Sequence, residues 1–152
     1  MTTIVYKDGI LAADTQLTTG DIKSRIRKIH RLPSGQVAAA AGVISDWPLF
    51  FEWLAKAENK AKAIPKLSKG FEMIVIEPDG KVGYYNSKCL YFEIDDPIYT
   101  NGSGWAFARA GLMCGLTPKK AVELASELDT GTNNLVDVYD VKKKRLTLSR
   151  FA

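Results

Sequence analysis

Short apolar runs bounded by turn residues dominate the chain, and helical spacing breaks in on them only in its middle and later parts. Residues 3–6 form a β-prone run, Lys7-Asp8-Gly9 reads as a turn, and residues 10–14 read as the returning strand. Residues 22–32 alternate unevenly between apolar and basic side chains before the turn Pro33-Ser34-Gly35. Residues 36–41 are small and predict a strand buried on both faces. Ser45 and Asp46 are N-cap candidates for a first helix, with Pro48 tolerated in its first turn. Phe50, Trp53, Leu54, Ala57 and Ala61 follow at helical spacing, opposite Glu52, Lys56, Glu58, Lys60 and Lys62, and Pro65 ends the pattern.

A hairpin is expected next, with residues 71–77 and 81–85 flanking Pro78-Asp79-Gly80. Residues 90–94 and 98–100 read as further strands. Gly102-Ser103-Gly104 then breaks the chain ahead of residues 105–113, which are apolar nearly all round and predict a buried helix ended by Gly115. Thr117 and Pro118 open another helix as N-cap and first helical residue, with Ala121, Leu124, Ala125 and Leu128 as its buried stripe. Closing strands are expected at 135–141 and 145–151, around the tip Lys142-Lys143-Lys144. This order fits an α+β domain with helices over two sheets, but other α+β folds share it.

Composition narrows the options modestly. A chain of 152 residues, 46% hydrophobic and 25% charged, suits one globular domain, taken as 1–152. No apolar run approaches the roughly 20 residues of a membrane helix, and the opening residues do not resemble a signal peptide. Two cysteines without a CxxC pair argue against a disulfide scaffold or zinc site and fit a reducing cytoplasm. The single histidine, His30, gives a Ser-His-Asp triad little support. A net charge of +4 permits an anionic partner without requiring one.

Met1-Thr2-Thr3-Ile4-Val5 carries a resemblance that continues, in order, through residues 9–14, 27–32 and 41–46, then Asn101-Gly102-Ser103-Gly104 and, more weakly, Asp129-Thr130-Gly131-Thr132. Together these segments resemble the bacterial HslV protease and, more broadly, the β subunits of the proteasome. The resemblance implies an N-terminal nucleophile hydrolase with a four-layer αββα sandwich of two antiparallel sheets. It also implies peptide or unfolded-protein substrates, a homo-oligomeric ring in the cytoplasm, a partner ATPase and no cofactor.

The same resemblance assigns roles. Thr2 would be the nucleophile, with its own α-amine as base. Such an amine has an ordinary pKa of about 7.7–8.0, and a nearby cation lowers it. Lys28 would be that cation and Asp14 its partner. Gly42 would offer a backbone N–H to the oxyanion. Ser103 and Asp129 would hydrogen-bond around the terminal amine, with Thr132 standing where the family has serine. All of this requires removal of Met1, because an amide cannot act as a base. Asn133 departs from the family's glycine, residues 59–69 stand in for a longer helical region, and Val43 occupies an often small pocket position.

Plainer readings stand beside these. Thr2 and Thr3 are β-prone residues, Gly42 suits a strand-to-helix turn, and Gly102-Ser103-Gly104 lacks the full spacing of a phosphate-binding loop. Trp47, Trp53 and Trp105 suit core or subunit contacts. A non-catalytic subunit of the same fold, keeping Met1, is the alternative function. An anion-binding module using Lys23, Arg25, Arg27, Lys28, His30 and Arg31 ranks third, and nucleic acid is not the expected partner.

Overall fold

The computed structural model describes residues 2–56 and 63–151, which form a mixed α/β fold with three sheets and three helices. Two compact units divide the chain: residues 1–30 with 95–152, and residues 31–94.

The first unit is built on the five-stranded sheet β10-β1-β2-β11-β12. Its strands are β1 (Ile4–Lys7), β2 (Ile10–Asp14), β10 (Ile98–Asn101), β11 (Val136–Asp140) and β12 (Arg145–Thr147). β1 and β2 form the expected hairpin, register Ile4 opposite Ala13, through a turn in which Asp8 and Gly9 both adopt positive φ. β2 then continues past Thr15 into the hairpin of β3 (Gln16–Thr19) and β4 (Ile22–Arg25). The single uneven run expected at 22–32 is therefore two strands, β4 and β5 (Ile29–Arg31), with Lys28 between them.

Two helices cover this sheet: α2 (Trp105–Met113) and α3 (Pro118–Leu128). Val5, Ala12 and Val136 of the sheet pack with Ala108 and Leu112 of α2 and with Ala121, Val122 and Ala125 of α3. The α3 cap is as expected, with Thr117 accepting from Lys120 N–H and Pro118 in the first turn. Its buried stripe is not. Val122 replaces Leu128, which is exposed, and Leu124 is half-buried. The expectation of a wholly buried α2 also fails. Only Ala108, Gly111 and Leu112 are buried, while Trp105 is 52% and Met113 72% exposed. One face of a helix suffices to cover a sheet, so an apolar composition does not by itself bury the other.

The second unit carries most of the sheet β5-β6-β7-β8-β9. β6 (Val37–Ala41) is buried along its whole length, as its small residues predicted. β7 (Glu72–Ile76) and β8 (Val82–Asn86) are the expected hairpin, and β9 (Tyr91–Glu93) is an edge strand. α1 (Asp46–Ala55) packs on it through an aromatic group in which Phe50 meets Phe71 and Tyr85, and Trp53 meets Tyr85. Ser45 makes no side-chain cap, and Asp46 instead accepts from Ser68 N–H. The predicted continuation of this helix through Ala57 and Ala61 lies outside the described residues.

Candidate active site

The first unit gathers six of the seven candidate residues. Thr2 enters β1 and is 4% exposed. Its carbonyl lies over Gly102, where a Cβ would stand 1.9 Å from Thr2 O. Gly104 is crowded in the same way, its missing Cβ falling 2.1 Å from Thr3 Oγ1. The glycines that read as a helix-entry turn thus leave room for the start of β1. That crowding is visible only in three dimensions.

Lys28 reaches inward from the segment between β4 and β5. Its Nζ donates to Thr2 Oγ1 at 2.9 Å and to Asp14 Oδ1 at 2.8 Å, with 2% of the side chain exposed. Backbone bonding fixes this segment, since Ile26 N–H donates to Thr15 O. Arg27, pointing the other way, holds Asp137 Oδ1 at 2.6 Å and lies 3.6 Å from the Phe151 ring centre. Burial pulls the Lys28 ammonium below its ordinary value, while Asp14, and more weakly Asp129, oppose the shift.

Asp14, fully buried at the end of β2, accepts from four groups. Thr3 N–H and Lys28 Nζ meet Oδ1, and Gln16 N–H and Asn133 N–H meet Oδ2. Both oxygens of this buried carboxylate thus meet directed donors in place of water.

A second cluster stands on the amide side of Thr2. Thr2 N–H donates to Ser103 Oγ at 3.3 Å, and Ser103 donates to Asp129 Oδ2 at 2.6 Å. Thr132 also donates to Asp129 Oδ2 at 2.6 Å and lies 2.6 Å from Thr3 Oγ1, so it meets Thr3 in addition to Asp129. Burial raises the Asp129 carboxyl, but hydrogen bonds from Ser103, Thr132 and Gly131 outweigh it and hold the group below its ordinary value. Asp129 is the C-cap residue of α3 in extended conformation, and its N–H donates to Ala125 O.

Gly42 belongs to the other unit, at the end of β6. Its φ of +101° calls for glycine, while a Cβ would find nothing nearer than Phe71 Cα at 4.0 Å. Backbone conformation rather than crowding selects the residue there. Within the basic strip, Arg27 and Lys28 turn to internal carboxylates, whereas Lys23 and Arg25 are exposed on β4.

Sequence reasoning passed over Thr3, Thr15 and Gln16. Each contacts Asp14 or the loop that carries Asp129. Their signal was limited to polar residues sitting where a buried strand should be apolar.

No protein-family model matches the chain, and no curated protein matches it. Solved structures do. Thiobacillus denitrificans BPH in complex with epoxomicin is similar at a TM-score of 0.66 and 16% identity, covering 99% of both chains. Thiobacillus denitrificans BPH alone gives 0.64 over the same shares and at the same identity. The likeness is one of fold, and it runs the length of both proteins.

Proposed function

We propose that this chain is a proteasome-like threonine peptidase subunit whose nucleophile is the Thr2 hydroxyl once the Met1–Thr2 bond is cut. The observation that carries the reading is the buried Lys28 ammonium, 2.9 Å from Thr2 Oγ1 and 2.8 Å from Asp14. An ammonium hydrogen-bonded to a hydroxyl stabilises negative charge developing on that oxygen. A neighbouring cation also disfavours protonation of the adjacent amine.

In this reading the freed Thr2 amine takes the hydroxyl proton as Oγ1 attacks the substrate carbonyl. The negative charge passes to the former carbonyl oxygen. As the C–N bond breaks, the proton passes to the leaving amine and an ester to Thr2 remains. Water, losing its proton to the same amine, attacks that ester and releases the acid. Ser103 keeps the amine oriented, with Asp129 and Thr132 anchoring Ser103 and the start of β1. The four-layer αββα sandwich, the homo-oligomeric ring, the ATPase regulator and peptide substrates belong to the same proposal. The epoxomicin held by one solved neighbour supports it.

The test is intact mass followed by epoxomicin treatment. A chain beginning at Thr2 and an adduct localised to Thr2 are expected, with peptide hydrolysis lost in Thr2→Ala. A retained Met1 without labelling would favour the non-catalytic subunit, and a Thr2→Ala protein that still cleaves peptides would end the reading.

A further inference from the structure

The Asn133 side chain takes no part in the reaction above, yet it closes a hydrogen-bonded clasp beside both halves of the site. Its Oδ1 accepts from Thr15 N–H at 3.1 Å and from Leu135 N–H at 3.2 Å. Its Nδ2 donates to Thr15 Oγ1 at 3.1 Å, which leaves the Thr15 hydroxyl to donate to Leu135 O at 3.0 Å. Thr15 is fully buried and Asn133 half-buried, so these bonds are partly shielded from competing water.

Placement gives the clasp its meaning. Thr15 follows Asp14 directly, and Asn133 follows Thr132 directly. The clasp therefore fastens the end of β2, with the carboxylate that holds Lys28, to the loop that carries Asp129 and Thr132. It also brings Asn133 N–H to 3.4 Å from Asp14 Oδ2. The sequence likeness leads one to expect glycine at this position, and glycine has no side-chain amide to form the clasp.

We infer that Asn133 is a positioning residue: its side-chain amide fixes the Lys28–Asp14 pair relative to the Asp129–Ser103–Thr132 cluster, so that both address the same Thr2. This rests on the reading of Thr2 as the reacting residue. Lys28 is faced by Asp14 from β2, by the Thr2 hydroxyl at the entry to β1 and, at longer range, by Asp129 at the end of α3. Displacing one half therefore alters both the catalytic geometry and the electrostatics at Lys28.

The experiment compares Asn133→Ala and Asn133→Asp, the second keeping the acceptor oxygen for the Thr15 and Leu135 amides. Peptide hydrolysis is followed across pH, Lys28 is titrated by NMR of its labelled Cε, and thermal melting is recorded. Asn133→Ala is expected to lose about tenfold or more in kcat with KM little changed. Its Lys28 midpoint is expected to move by about half a pH unit or more. Asn133→Asp is expected to recover most of kcat. An Asn133→Ala protein with wild-type kcat and Lys28 midpoint would overturn the assignment. So would equal losses of kcat and melting temperature in both variants, which is the mark of a merely structural role. If the parent chain, with Thr2 freed, hydrolyses no peptide, the function proposed above fails, and the Lys28 midpoint still decides whether Asn133 positions the pair.

Discussion

A lysine with 2% of its side chain exposed is expensive to keep charged, and only its partners make it tolerable. Lys28→Met is expected to abolish peptide hydrolysis and to cost about 3 kcal/mol in urea unfolding, because it strands the Asp14 carboxylate in the interior. Adding Asp14→Asn should return much of that stability and none of the activity, a double-mutant result that simple loss of packing would not give. Space is as demanding as charge. Gly104→Ala puts a methyl 2.1 Å from Thr3 Oγ1 and must shift the start of β1. A displacement of about 1 Å at a reacting atom is worth about a hundredfold in rate, so a fall of that order in kcat is expected. The pairing of Lys28 with Asp14 was expected only through the resemblance, since nothing local separates Lys28 from Lys23 or Arg25. Thr3 and Thr15 were not legible, because the partners of their hydroxyls lie more than a hundred positions away.

The elements read most clearly were those with local chemistry. The β1–β2 and β7–β8 hairpins followed from Asp8-Gly9 and Asp79-Gly80, and the start of α3 followed from Thr117-Pro118. Thr117→Ala should cost about 1 kcal/mol, read as a lower melting temperature with peptide hydrolysis unchanged, since the cap serves α3 alone. The misread elements were those whose fate depends on neighbours. β3 escaped notice because Gln16-Leu17-Thr18-Thr19 has little apolar periodicity and owes its form to pairing with β4. On α2, Gly111 lets the Leu116 and Leu124 side chains come close, so contact is concentrated on one face and Trp105 and Phe107 remain outside. Periodicity can say that a helix is apolar, but not how much of it a neighbour covers.

Across the whole molecule, alkaline pH acts on the two units in opposite senses. In the first unit the folded Lys28 has a pKa below the ordinary 10.5, so just below pH 10.5 the unfolded chain binds more protons and stability rises with pH. The ammonium is lost over the same window, so hydrolysis should fall while the fold gains. In the second unit burial, aided by Glu77, pushes Tyr85 up to about 12. Folded Tyr85 therefore keeps its proton above pH 10 after the unfolded chain has released it, and stability declines with pH there. Urea unfolding at a series of pH values should show both slopes. Lys28→Met is expected to flatten the first, and Tyr85→Phe the second.

The four donors around Asp14 have one more chemical implication. A carboxylate offers about four lone-pair positions, and two donors already sit on each of its oxygens. Those bonds fix the direction in which the carboxylate faces Lys28. In the proposed reaction the hydroxyl proton goes to the nitrogen of a freed Thr2, so acetylating that nitrogen is expected to abolish peptide hydrolysis.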